Sequence, residues 1–260
     1  FKSAFDHVNR QALLFKLTNQ NIKGKMFKII KSMLMKAKSR VKWNRELGEL
    51  FDNLYGVLQG GVLSPTLFKI FLEDLPKYLD NSKGAKILDI MISYLLHADD
   101  LVLISETSAG LQALINGLNR FCKRWHVVIN LTKTNIMICN KKYIITQEIL
   151  MFTLNGDCIP ETNSYKYLGT LFSSKSNNRF TENHKHTRDK AMRAITVLRS
   201  DARKSLGGQM PIKLYLKLFD AQISPILEYA SEIWFQNKPV QELETVQLQY
   251  IKGVLRLKNQ

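Results

Sequence analysis

The sequence is poor in the residues that mark secreted, fibrous or membrane-spanning proteins. Its 260 residues include only 3 cysteines, 6 prolines and 13 glycines. The cysteines, Cys122, Cys139 and Cys158, are odd in number and lack metal-ligand spacing. Free or buried thiols in a reducing compartment are therefore expected. No run of about 18 apolar residues exists, so no spanning helix is encoded. The longest apolar runs are interrupted by His97, Asp99 and Asp100, or by Pro225 and Glu228. The basic, amphipathic N-terminus lacks the apolar segment and small-residue cleavage site of a secretory leader. An intracellular location and no membrane partner are expected. Disorder signatures are missing too: 45% of the residues are hydrophobic, enough for one large core or two smaller ones.

Acidic residues are the other shortage. Lys and Arg number 38 against 22 Asp and Glu, a net charge of +16, which points to a polyanionic partner. The imbalance is uneven. Residues 1–45 carry twelve basic side chains and one acid, Asp6, whereas residues 46–122 carry five basic and ten acidic ones. Residues 166–204 return to ten basic against three acidic. An acidic middle between basic flanks suits an enzyme that holds metal centrally and nucleic acid along its sides. The first residue is Phe1, and the last stretch, ELETVQLQYIKGVLRLKNQ, is helical in pattern without a stop signal. Both features predict a segment of a longer chain.

Periodicity assigns the elements. A helix is expected over Arg10–Leu17 with Asn9 as its N-cap, and a second, basic one over Lys25–Lys36. SRVKWN at 39–44 alternates like a half-exposed strand, and a helix over Leu67–Leu75 should stop at Pro76. A hairpin is expected over 92–105 and an amphipathic helix over Gly110–Val127, with Leu111, Leu114, Ile115, Leu118 and Cys122 on one face. Thr134–Cys139 and Met151–Leu154 read as strands, and Asn155-Gly156-Asp157 as a turn between strands. From about residue 181 the pattern is helical. His184, Thr187, Ala191, Ala194, Ile195, Leu198 and Ala202 share a face, Gly207-Gly208 breaks the chain, and Lys213–Tyr229 resumes with an interruption near Pro225. A mixed α/β region to about 175 followed by a helical region is the expected segmentation. Trp43, Trp125 and Trp234 are expected in packing roles, and His184-Lys185-His186 is not expected to bind metal, because alternate helical residues point apart.

Two short stretches carry chemistry. In YLLHADDLVLIS at 94–105, two apolar runs of buried-strand length flank Asp99 and Asp100. Adjacent carboxylates repel, more so when partly buried, unless a cation lies between them. Hard carboxylate oxygens suit Mg²⁺, which keeps phosphate and water ligands; a turn in which Asp caps backbone amides is the other reading. In GVLQGGVLSPTLF at 56–68, Gly60-Gly61 lets the backbone approach a bulky ligand, and Gln59 offers both a donor and an acceptor. An ordinary strand-to-helix connection would use similar residues.

Taken together and in this order, these stretches resemble the reverse transcriptases of non-LTR (LINE-type) retrotransposons. QGGVLSPTLF at 59–68 resembles the family's QG-x-LSP-x-LF motif, and HADD at 97–100 its [YF]-A-D-D motif. FKSAFDHV at 1–8 is similar to the tail of D-F-x-K-A-F-D-x-V, and NRFCKRWHVVINLTKTNIMIC at 119–139 to the segment ending in N-x-x-K-T. YKYLGTLFSS at 165–174 resembles the YLG primer-gripping motif, and LFDAQISPILEYASEIW at 218–234 the helical thumb and connection regions.

The resemblance implies an α/β (α+β) fold. A right-hand polymerase palm with antiparallel sheet and flanking helices would occupy 1–175, a helical thumb and connection region 176–260, with the fingers mostly absent. It implies an RNA template, a DNA primer or target, dNTPs, two Mg²⁺ ions with Mn²⁺ as a substitute, and a nuclear and cytoplasmic location. Asp99 and Asp100 match the metal-binding pair. Phe5 matches the aromatic residue that lies under the incoming sugar, and the backbone near Ser3 and Ala4 would lie along the triphosphate. Gln59 and Gly60 would brace nucleotide and template, and Lys133 would stand near the pyrophosphate as a proton donor. Tyr167, Leu168 and Gly169 would position the primer 3′ end. Lys36, Lys38, Arg40 and Lys42 are expected on the nucleic-acid backbone.

The sequence departs from the family pattern at two places. The family's first metal-binding Asp lies immediately before the position of Phe1. Asp6 matches the later, non-catalytic Asp, for which a turn or helix-start role is expected. His97 stands where Tyr or Phe is usual; its charged form beside two carboxylates would weaken metal binding, and simple drift in a decaying element copy is the favoured reading. The expected activity is RNA-directed DNA synthesis. A truncated relic that only binds RNA–DNA duplex remains the alternative, with a recruited nucleic-acid-binding scaffold a third reading.

Overall fold

The computed structural model describes residues 1–139, 151–175, 179–206, 211–235 and 240–255. Helix α1 (Arg10–Asn19) starts where Asn9 caps it: its side chain accepts from the Ala12 amide at 3.0 Å. Helix α2 (Gly24–Met35) follows, and its buried face, Ile30 and Leu34, joins Leu13, Leu14 and Leu17 of α1 in one core. Short strands β1 (Lys38–Ser39), β2 (Lys42–Trp43), β3 (Glu46–Leu47) and β4 (Phe51–Asp52) pair as β1 with β4 and β2 with β3, both antiparallel. The strand expected over 39–44 is thus broken at 40–41. Trp43, expected in a packing role, is 76% exposed.

Helix α3 (Ser64–Leu72) begins three residues earlier than expected, because Pro65 sits in its first turn, where the missing amide costs nothing. It also ends before the expected stop, and Pro76 lies within a separate 3₁₀ turn, Leu75–Tyr78. Strands β5 (Ala85–Ile87) and β6 (Ile90–Ile92) form one hairpin; β7 (Tyr94–His97) and β8 (Asp100–Leu103) form the next. Helix α4 (Ser108–Trp125) buries Leu114, Ile115, Leu118, Phe121 and Cys122. The stretch 134–139 is not a strand: Ile136 makes a single bridge, its amide donating to the Pro160 carbonyl at 2.9 Å. Strands β9 (Thr153–Leu154) and β10 (Asp157–Cys158) flank Asn155-Gly156, both at positive φ as the sequence requires of such a turn.

Beyond this point come a hairpin, β11 (Ser164–Tyr167) with β12 (Thr170–Ser173), and helix α5 (Thr181–Leu206). Helices α6 (Ile212–Leu218), α7 (Ser224–Leu227), α8 (Ser231–Trp234) and α9 (Gln241–Val254) complete the described chain. The interruption expected near Pro225 is a π-helical turn at Phe219–Ile223, after which Pro225 opens α7. Gly207-Gly208 and the side chain of Ala202 lie outside the described residues.

The result is a mixed fold of helices and two-stranded antiparallel sheets. It divides into two compact units, Phe1–Ile136 with Gln147–Pro160, and Met137–Thr146 with Glu161–Gln260. The second has its own core, in which Ala191, Ile195, Leu198, Phe219, Ile223, Val246 and Tyr250 are buried.

A buried cation stitches the first unit. The Lys16 ammonium pairs with Asp74, donates to the Phe71 carbonyl, and lies 3.9 Å from the Trp125 ring centroid. Burial pushes its pKa down, and Asp74 opposes that shift. Removing Asp74 strands an ammonium, whereas removing Lys16 frees a carboxylate that reaches water. Asp74→Ala should therefore cost about 3 kcal/mol and more than Lys16→Met, as urea denaturation would measure. Equal losses would show that the pair does not hold the cation.

In the second unit the His184 ring meets Trp234 edge-on at 5.2 Å, and its buried Nε2 has no hydrogen-bond partner. Burial lowers its pKa below 6.5, and Glu242 opposes that. Below pH 6.5 the unfolded chain takes up a proton that the folded one resists, so stability falls with acidification. Unfolding measured at pH 7.5 and 5.5 should show that loss in the native chain and a smaller one in His184→Phe.

Candidate active site

The first eight residues run through the site as a spine. The Phe1 backbone nitrogen donates to the Asp99 carbonyl at 3.1 Å, and the Lys2 amide to the Val128 carbonyl at 2.9 Å. The chain then turns at Ser3, whose φ is 42°, and the amides of Asp6 and His7 close back on the Ser3 carbonyl. The Phe5 carbonyl accepts from Val57, and the Val8 carbonyl from Gly56, both at 2.8 Å. One short segment therefore touches the carboxylate hairpin, the loop before α3 and the segment that follows α4.

Asp99 and Asp100 sit at the tip of β7–β8, where Ala98-Asp99 is a two-residue turn and His97 pairs with Asp100. Ala98 has φ 52°, a left-handed conformation that costs an alanine about 1 kcal/mol. The expected buried strands are buried only in part: Tyr94, Leu101 and Leu103 pack against the core, whereas Leu95 is 44% and Leu96 36% exposed. Asp99 is half-buried and Asp100 exposed, so water screens their repulsion. Among the described residues no third His, Cys, Asp or Glu joins them in a metal-binding group. Two carboxylates open to solvent fit a hard divalent cation that takes its remaining ligands from phosphate and water.

Ala4 and Phe5 are half-buried beside this hairpin's neighbour segment. The Phe5 ring stacks on Phe68 of α3, with centroids 4.8 Å apart, which fixes its plane. Gly56 makes the approach possible. It has φ 82°, and a Cβ there would lie 2.7 Å from the Asp6 carbonyl oxygen and 2.9 Å from the Phe5 carbonyl oxygen. Gln59 is exposed, and its Nε2 donates to the Asp6 carboxylate at 2.8 Å. Asp6 thus does more than shape a turn. Gly60, with φ 78°, has open space where a side chain would project. The Ser64 hydroxyl donates to the Leu58 carbonyl and closes the loop.

Lys133 ends a 3₁₀ turn, Leu131–Lys133, which Asn130 caps through the Thr132 amide at 3.1 Å. Lys36, Lys38, Arg40 and Lys42 are all exposed along the end of α2 and through β1 and β2, and Lys38 lies 3.6 Å from Asp52. Tyr167, Leu168 and Gly169 belong to the other compact unit, at the tip of β11–β12.

Sequence reasoning missed Arg10. Its guanidinium is buried and donates to the carbonyls of Gly56, Leu34 and Asn53, the first at 2.8 Å. The signal was present: Arg10 precedes Leu13, Leu14 and Leu17 at helical spacing, a charge on the apolar face. Tyr229 was missed as well; its hydroxyl donates to the Leu168 carbonyl at 2.8 Å.

The family model for "Reverse transcriptase (RNA-dependent DNA polymerase)" matches residues 1–172. An RNA-directed DNA polymerase from the mobile element jockey of Drosophila melanogaster is 25% identical over 242 residues, covering 90% of this chain and 25% of that protein. A probable RNA-directed DNA polymerase from transposon X-element of the same species is 22% identical over 240 residues, again 90% and 25% of the two chains. The Pol polyprotein of a type-1 R2 element from Nasonia vitripennis is 28% identical over 185 residues, 66% of this chain and 18% of that one. The chain spans about a quarter of the length of the first two. The domain match covers well over half of the sequence and the relatives are element-encoded polymerases: the chain belongs to the reverse transcriptase family of non-LTR retrotransposons.

Proposed function

We propose that this chain is the palm and thumb portion of an RNA-directed DNA polymerase that extends a primer 3′-hydroxyl with dNTPs on an RNA template. The palm would span 1–175 and the thumb and connection region 176–260. The observation that supports the reading best is the Asp99-Asp100 pair at the tip of the β7–β8 hairpin, with Phe5 stacked on Phe68 at 4.8 Å in the same compact unit.

Asp99 and Asp100 would hold divalent cations, Mg²⁺ or Mn²⁺ in its place, which when bound activate the attacking hydroxyl and neutralise the leaving pyrophosphate. The chain's own residues do the positioning, which is most of the work in such a transfer. The Phe5 ring, held flat by Phe68, would underlie the incoming sugar and reject a 2′-hydroxyl. Gln59, oriented by Asp6, would brace nucleotide and template with Gly60, whose open side leaves room for a base. Ala4 would lie along the triphosphate, and Lys133 would give a proton to the leaving group. Tyr167, Leu168 and Gly169 would hold the primer end. Lys36, Lys38, Arg40 and Lys42 would contact phosphates without choosing sequence.

The decisive experiment is primer extension on poly(rA)–oligo(dT) by a chain continued upstream with Asp before Phe1. Asp99→Ala in that chain should lower extension at least a hundredfold with hybrid binding retained. Extension at the parental rate would remove the metal assignment. Binding without extension by the continued parent chain itself would favour the duplex-binding relic. Residues 1–260 alone should bind RNA–DNA hybrid with an affinity that drops about tenfold or more between 50 and 200 mM salt, and should extend negligibly. Salt-independent binding would remove the backbone contacts from the account.

A further inference from the structure

The β11–β12 hairpin is secured at two points. On β12, one pair back from the tip, the Leu171 amide donates to the Asn183 side chain at 3.0 Å, and Asn183 is buried on α5. At its tip, Leu168 and Gly169 carry φ values of 45° and 86°, the double left-handed geometry of a tight turn. Such a tip normally rests on its own turn alone. Here Tyr229 covers it. The Tyr229 hydroxyl donates to the Leu168 carbonyl at 2.8 Å, and a Cβ on Gly169 would lie 2.8 Å from the ring's Cε1.

Tyr229 is itself held from behind. It sits between α7 and α8, followed by Ala230 in the left-handed region with φ 56°. Its carbonyl accepts from the Trp234 indole at 2.8 Å, and Trp234 is 5% exposed. A buried indole thus fixes the Tyr229 backbone, and Tyr229 fixes the turn. Tyr229 is 56% exposed, so this ring contributes little to a core. Its hydroxyl and ring contacts are those a latch needs.

We propose that Tyr229 is a positioning residue for the primer terminus: its hydroxyl and ring lock the Leu168-Gly169 turn in the shape that receives the 3′ end. The inference rests on the primer-gripping reading of that turn and adds the residue that sets its geometry. A free two-residue tip samples several conformations, and ordering it on binding would cost affinity. A latched tip is ordered beforehand.

The test uses the 260-residue chain and two RNA–DNA hybrids, one with a recessed DNA 3′ end carrying 2-aminopurine and one blunt. The native chain should prefer the recessed end and change the fluorescence of its terminal base. Tyr229→Phe keeps the ring and removes only the hydroxyl. It should weaken recessed-end binding about fivefold, the worth of one hydrogen bond, and diminish the fluorescence change. Blunt-hybrid affinity and melting temperature should be unchanged, which a purely structural role would not predict. Gly169→Ala, which pushes against the ring and strains the turn, should weaken recessed-end binding by at least as much with Tyr229 intact. If the native chain discriminates and both variants bind the recessed end as it does, the latch is refuted while the primer reading survives. If the native chain shows no preference for the recessed end, the primer reading fails and the latch with it.

Discussion

A single buried guanidinium sets the shape of one side of the first unit. Arg10 donates to three carbonyls from separate stretches: Leu34 at the end of α2, Asn53 after β4, and Gly56 before the loop of Gln59. Each carbonyl would otherwise be an unmet acceptor near the interior, and the Leu34 carbonyl is one of the last four of its helix. The planar fork of arginine can serve several acceptors at once, which the single ammonium of lysine cannot do over the same spread. Burial lowers the Arg10 pKa, yet a guanidinium stays charged. Among the described residues, carbonyl dipoles rather than a carboxylate meet that charge.

The consequences run outward from Arg10. With the Gly56 carbonyl held, the Gly56 and Val57 amides face the carbonyls of Val8 and Phe5. That contact is closer than any side chain would allow, which is why Gly56 lacks one. The same pairing sets the Phe5 ring on Phe68 and Gln59 on Asp6. The spine from Phe1 to Val8 then carries the geometry to Asp99. Lys16 plays a parallel part deeper in the unit, tying α1 to the end of α3 and the aromatic face of α4. Two cations on one helix, neither on the solvent face, hold the elements that bear the site.

Helices were readable because their signals are local. The Asn9 cap, the 3.6-residue spacing of α4 and the Asn155-Gly156 turn need no knowledge of distant partners. The strands were less readable because their existence depends on pairing. Residues 134–139 alternate well but find a partner only at Ile136, and 39–44 breaks where β1 and β2 take different partners. Trp43 shows a related limit: its burial is set by what covers it, not by its own hydrophobicity. The site motifs were legible as strings, whereas the contacts that hold them, from Arg10, Asp6 and Tyr229, are long-range and leave only faint local marks.

The carboxylate pair gains a different meaning from its surroundings. From the sequence, two adjacent charges between apolar runs look strained and in need of a cation. In the fold, Asp100 is exposed and Asp99 half-buried, at the tip of a hairpin whose Leu95 and Leu96 reach solvent while Tyr94, Leu101 and Leu103 pack on the core. Water relieves most of the repulsion, so folding imposes no demand for metal at this turn. In the proposed reading, affinity for the cation would then depend on ligands brought to the pair, the phosphates of the nucleotide above all. A site built this way would bind its metal well only when the substrate is present.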